Sequence, residues 1–138
     1  MRIILSALLA WAIAQGIKVL IAFGKTRKWD RSLLTASGGM PSSHTALVVA
    51  TSCRVGLIEG FSSTAFAVCV VRSLIVMYDA VNVRRAVGVQ ARKLNQMLDT
   101  FRERGSLDEE GVKEILGHTP LQVAVGFLIG LMVGLVEL

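Results

Sequence analysis

Apolar residues along this chain fall into four long runs separated by polar stretches, a pattern with no sustained alternation of period two. Ile3 to Phe23 is apolar except for Ser6, Gln15 and Lys18. A helix over this run rises about 30 Å, the thickness of one bilayer core. Similar runs predict further spans over about 41–58, 64–81 and 120–138. Pro41 is placed at the first turn of the second span, where its missing N–H costs nothing. Thr119 is read as the cap of the fourth span and Pro120 as its opening residue. Ser6, Ala10 and Ala14 recur every four residues, as do Gly126, Gly130 and Gly134. Such stripes of small residues let helices approach closely, within one chain or between two copies.

The polar insertion 82–118 carries its own periodicity. Val83, Val87, Ala91, Leu94, Leu98 and Phe101 recur at helical spacing, which predicts an amphipathic helix suited to a membrane surface. Ser106-Leu107-Asp108-Glu109 fits a capping box, predicting a short helix to about Leu116, with Gly117 as its stop. The expected fold is all-α: a single polytopic membrane domain over 1–138, of about four spans with one or two amphipathic inner-face helices. A secretory signal reading also exists, with Arg2, an apolar run and Ala12-Ile13-Ala14 as a cleavage site. The run continues past that site, which favours a span.

Composition agrees with a membrane chain. Hydrophobic residues make up 53% and charged residues 18%, against about 45–50% and about 25% in soluble domains. Mean hydropathy is +0.60. Net charge is +5 and the isoelectric point about 9.8. Eleven of the fifteen Lys and Arg fall in 24–40 and 82–118. These two loops share one side of a four-span chain, which places them on the cytosolic or equivalent inner face. No aromatic-basic platform accompanies them, so nucleic acid is not the expected partner. Arg54, Arg72 and Asp79 lie inside spans, where charge is expensive and turns inward. For Arg54 and Arg72 the partners left open are Glu59, lipid phosphate and water. Cys53 and Cys69 sit in apolar segments without CxxC spacing and read as packed core residues.

Polar groups gather on the inner face. Ser42, Ser43 and His44 start the second span, Asp79 with Arg84 and Arg85 ends the third, and His118 precedes the fourth. Lys18 can snorkel to the same surface. A helix N-terminus offers free N–H groups and a positive dipole end, and two such ends with a histidine beside each form an anion pocket. Arginines add bidentate phosphate contacts and lysine adds a point charge. Two histidines can divide nucleophilic attack from proton donation. Each residue also has a simpler use: Ser42 and Ser43 as caps, His44 and His118 as residues of helix starts, Arg84 and Arg85 as positive-inside anchors.

The blocks GGMPSSHTA, VMYDAVNVRRAVGVQA and LGHTPLQV, in this order, resemble the divergent branch of the type 2 phosphatidic acid phosphatase family. That branch is related to acid phosphatases and vanadium-dependent haloperoxidases. The resemblance runs from about Ala14-Gln15 and Lys18 to the last glycines. It implies a helical core with a metal-free phosphohydrolase site that needs no cofactor. Pro41-Ser42-Ser43-His44 looks like the family's P-S-G-H block, with Ser43 in place of Gly; His44 is then the general acid and Ser42 a phosphate ligand. His118 with Gln122 keeps the His and four-residue step of the family's S-R-x5-H-x3-D motif, which makes His118 the nucleophile. Gln122 stands where the family has a carboxylate. Position 112, where that motif has its arginine, is Val112, so Arg84 and Arg85 are the substitutes. Lys18 matches the lysine of the family's K-x6-R-P motif, with Arg31 as its partner.

The expected function is hydrolysis of a phosphomonoester or diphosphate on a membrane lipid through phospho-His118. In this scheme Lys18, Ser42, Ser43, Arg84 and Arg85 hold the phosphate, and Asp79 steadies an arginine or pairs with Lys18. The alternative is a catalytically silent membrane protein that binds anionic lipid or a partner helix. The small-residue stripes also offer a surface for a homo-oligomer.

Overall fold

A computed structural model describes residues 1–27, 38–103 and 117–136. These residues form an all-α membrane bundle of five helices: α1 (Arg2–Thr26), α2 (Ser43–Glu59), α3 (Thr64–Val81), α4 (Val83–Glu103) and α5 (Pro120–Leu135). The short helix expected over 106–116 lies outside the described residues.

Helix α2 sits at the centre and packs against α1, α3 and α5. Two helical stretches are long and apolar enough to cross a membrane: α1, and the 40 residues Thr64–Glu103 that join α3 to α4. Helices α2 and α5 have 17 and 16 residues, so each rises about 25 Å. Being enclosed by its neighbours, α2 has no need of an apolar surface. That is why it carries Thr51, Ser52 and Arg54.

The bundle is dressed inversely to a soluble protein. Leu5, Leu8, Leu20, Val68, Ile75, Leu128 and Met132 point outward, while the interior is small: Ala10, Ala14, Ala46 and Ala50 are fully buried. Lipid offers no hydrophobic drive between helices, so close van der Waals contact holds them together. The glycine stripe of α5 supplies it. A Cβ on Gly126 would strike the Ser42 carbonyl oxygen. A Cβ on Gly130 would lie 2.5 Å from the Ala46 carbonyl oxygen, and one on Gly134 would lie 2.5 Å from Cys53 Cβ. The stripe Ser6, Ala10 and Ala14 on α1 is likewise buried inside the chain.

Polar bonds fasten the same contacts. Ser52 Oγ and Ser73 Oγ lie 2.9 Å apart, and Ser73 Oγ also donates to the Val48 carbonyl at 3.1 Å, joining α3 to α2. Arg54 Nη1 donates to the Val136 carbonyl at 3.0 Å, satisfying a carbonyl left free at the end of α5. This protein carbonyl is not among the partners the sequence suggests for Arg54. Both cysteines are free thiols.

One sequence expectation needs correction. The second span begins at Ser43, because the Ser42 side chain accepts from Thr45 N–H and so takes the N-cap. Pro41 therefore lies before the helix, after a cis peptide bond from Met40. The helix expected from the periodicity of the polar insertion is α4, and it prolongs α3: Asn82 N–H bonds the Tyr78 carbonyl and Ala86 N–H bonds the Asn82 carbonyl. The helix that Gly117 is expected to stop lies outside the described residues; a Cβ on Gly117 would strike the Arg85 backbone.

Among the described elements α4 packs only on α3. Its Val83, Val87, Leu94, Met97 and Phe101 point outward.

Candidate functional site

The polar cluster lies where the starts of α2 and α5 meet the end of α3. Thr119 caps α5 through a reciprocal box: Gln122 N–H donates to Thr119 Oγ1 at 3.4 Å, and Thr119 N–H donates to Gln122 Oε1 at 3.0 Å. The Thr-Pro-Leu-Gln sequence dictates this arrangement. The same Gln122 Oε1 lies 3.3 Å from His118 Nδ1. An amide oxygen only accepts hydrogen bonds. Since Thr119 N–H fixes which amide atom faces inward, Gln122 Oε1 favours the neutral tautomer with its proton on Nδ1. That tautomer carries its lone pair on Nε2.

Backbone bonds hold this turn in place. His118 N–H donates to the Ala80 carbonyl at 3.0 Å, and Ser42 N–H donates to the Gln122 carbonyl at 3.0 Å. The two segments bearing histidine are thereby tied to each other and to the end of α3. Ser42 is fully buried; its Oγ accepts from the Thr45 hydroxyl at 2.9 Å as well as from Thr45 N–H. Ser43 is buried in the first turn of α2.

His118 is 3% exposed and Lys18 4%. Burial holds the His118 imidazole pKa below its ordinary value, and the charges of Lys18 and His44 act in the same direction. The bonds to Gln122 and to the Gly39 backbone act in the opposite direction. His118 is therefore neutral at physiological pH. Gly38 and Gly39 have φ of 103° and 79°, a region open to glycine and strained for other residues. A Cβ on Gly39 would lie 3.6 Å from Lys18 Cγ, so this turn covers the Lys18 stem.

His44 projects from the first turn of α2 to the surface. It lies within electrostatic reach of Arg84, Lys18 and Asp79. Arg84 Nε donates to Asp79 Oδ2 at 2.6 Å across Asn82, both side chains being partly exposed. Arg85 points outward beside Val81, Asn82 and Val89. Lys18, His44, Asp79, Arg84, His118 and Gln122 thus share one neighbourhood. Ser42 and Ser43 lie beneath it, Arg85 lies at its edge, and Arg31 is outside the described residues.

The segment Gly38 to His44 is legible in the sequence as a phosphate-handling stretch, but sequence patterns do not reveal Ala80 or Thr119 as parts of the site. Thr119 is legible only as a cap. The role of the Ala80 carbonyl depends on the path of the chain. Among the described residues no three His, Cys, Asp or Glu side chains gather as a metal site.

This geometry can hold an anion between a lysine, an arginine and two histidines, with one neutral imidazole in a defined tautomer. The comparisons agree with a membrane setting. The chain is 41% identical over 144 residues to "Uncharacterized membrane protein YuiD" of Bacillus subtilis (strain 168), with 96% of this chain and 91% of that protein covered. No solved structure matches. The family model described as "Divergent PAP2 family" matches residues 1–133, and the chain belongs to that family.

Proposed function

We propose that the cluster hydrolyses a phosphate ester carried by a membrane lipid. One observation supports this most: the capping amide oxygen of Gln122 lies 3.3 Å from His118 Nδ1, which favours the tautomer with its lone pair on Nε2. A nucleophilic histidine requires that state.

In the proposed reaction the phosphate takes the position that the Gly39 backbone holds against the ring. Lys18 and Arg84 hold its oxygens, with Arg85 at the rim. His118 Nε2 attacks phosphorus while the P–O bond to the lipid breaks. Protonated His44 gives its proton to the leaving oxygen, producing the lipid alcohol. His44 then takes a proton from water, and the resulting hydroxide attacks phospho-His118. The N–P bond breaks, inorganic phosphate leaves and His118 is restored. Gln122 accepts from Nδ1–H throughout and supports the imidazolium by its dipole, less than a carboxylate would. On the positive-inside distribution this cluster faces the cytosol.

The second reading, binding of anionic lipid without turnover, draws on two observations. Gln122 carries no charge, and Arg84 is already paired with Asp79. Phosphate release from a panel of phosphatidate, lysophosphatidate and prenyl diphosphate separates the readings. Wild type should release phosphate and form an acid-labile phosphoenzyme; His118→Ala should do neither. Equal rates for the two proteins would sink the hydrolase reading.

A further inference from the structure

An apolar cleft leads away from the polar cluster. Helices α3 and α5 barely touch each other, and both are fastened to α2. The Ser52–Ser73 bond pins α3 there, and the glycine stripe pins α5. Both walls are therefore anchored on α2. The space between them holds two adjoining cavities of about 300 Å³ and about 600 Å³, which share Met77 and Phe127 as walls.

The wider cavity reaches Asn82 and Pro120 at the polar end. Pro120 is two residues from His118, and Asn82 is two from Arg84. The narrower cavity ends at Phe61 and Phe66. Those rings meet edge to face with centroids 5.2 Å apart. Phe61 seats against Gly56, where a Cβ would lie 2.6 Å from the ring. From Asn82 back to Phe66 the helix rises about 24 Å.

We propose that this cleft seats the hydrocarbon chain of a lipid phosphate, with its headgroup in the cluster of Lys18, His44, Arg84 and His118 and its tail end against Phe61 and Phe66. The proposal rests on reading that cluster as a phosphate site. Three features favour this occupant: the lining is apolar along the length of the cleft, one end reaches Asn82 and Pro120, each two residues from a member of the cationic cluster, and the aromatic rings of Phe61 and Phe66 line the other. Ordinary bilayer lipid gains nothing from an apolar wall, because its own surroundings are as apolar. Selection must come from the phosphate at one end and the fit of one chain along the cleft. Ala124, on the α5 wall, is the position at which a large side chain would fill the cleft.

The test uses the full chain in phosphatidylcholine vesicles with a long-chain alkyl phosphate bearing a photoreactive diazirine at mid-chain. The label should map to the peptides around Met77–Val81 and Val123–Leu131. Excess unlabelled alkyl phosphate should suppress it about tenfold, and the matching alcohol should not. Ala124→Trp should reduce it to a similar extent; the competition result does not depend on how that variant folds. Labelling spread equally over outward residues of α1 such as Leu8, or label that the alcohol displaces equally well, would overturn the proposal. If the label maps as expected but wild type releases no phosphate, the hydrolase reading falls and the chain seat stands. If phosphate is released from a short-chain ester while the label scatters, the chain seat falls and the hydrolase reading stands.

Discussion

Replacing Gln122 by Glu tests the logic of the site with a change of one atom type. The side chain keeps its length, so it can still accept from Thr119 N–H and His118 Nδ1–H at 3.0 and 3.3 Å. What changes is a full negative charge beside the ring. At 3.3 Å and an effective dielectric near 20, its attraction to an imidazolium is about 5 kcal/mol gross. Much of this is offset by removing a carboxylate from water in a half-buried position. If about 1.5–3 kcal/mol survives, attack by Nε2 accelerates about ten- to a hundredfold, since positive charge develops on the ring as the N–P bond forms. Gln122→Glu should also raise the His118 pKa, because an opposite charge favours the protonated form. Nitrogen-15 NMR of the ring should show Nδ1–H in both proteins, with the titration of the variant at higher pH. Rapid-quench measurement of phosphoenzyme should show the faster step. A wild-type ring protonated on Nε2, or a variant with unchanged titration, would refute the reasoning.

Further outcomes follow from the same geometry. Gly126→Ala forces a Cβ against the Ser42 carbonyl; stability in detergent should fall by about 1–3 kcal/mol, read as a lowered melting temperature. His118 has a depressed pKa in the fold, so the unfolded chain binds the proton more readily. Stability should be full above about pH 6.5 and decline as pH falls below it, and His118→Gln should remove that part of the slope in thermal melts. Ser73→Ala removes the bond between α2 and α3; the expected cost is about 0.6 kcal/mol, measured by unfolding in mixed micelles. Gly39→Ala places a side chain at φ 79°, costing about 1–2 kcal/mol, and should slow phosphoenzyme formation without changing its acid lability.

Much of the fold is legible in the sequence because lipid imposes long apolar runs. Ile3–Phe23, Thr64–Val81 and the last span emerge from hydropathy and capping residues. The start of α2 is ambiguous there because Pro41 and Ser42 both suit a helix opening, and only the Thr45 contacts decide between them. The continuity of α3 and α4 is hidden because polarity changes at Asn82 while the backbone hydrogen bonds do not. At the site, the histidines are legible from their places at the starts of two spans, and Gln122 from the resemblance to the family's H-x3-D step. The Ala80–His118 and Ser42–Gln122 bonds are not, because they join residues far apart in sequence. The ring tautomer is hidden for another reason: the resemblance presents Gln122 only as a substitute for a carboxylate, whereas the capping box gives its amide oxygen a direction.

The two bonds that tie His118 to Ala80 and Ser42 to Gln122 also set an order of events during biogenesis. Helices α1, α2 and α3 can enter the bilayer and meet while His118 is still outside their contact. Until α5 docks, Ser42 N–H lacks its acceptor on Gln122. The cluster is therefore complete only once the glycine face of α5 has closed on α2. A chain short of that contact carries Lys18, His44 and Arg84 without the imidazole to which the proposed function assigns attack on a lipid phosphate.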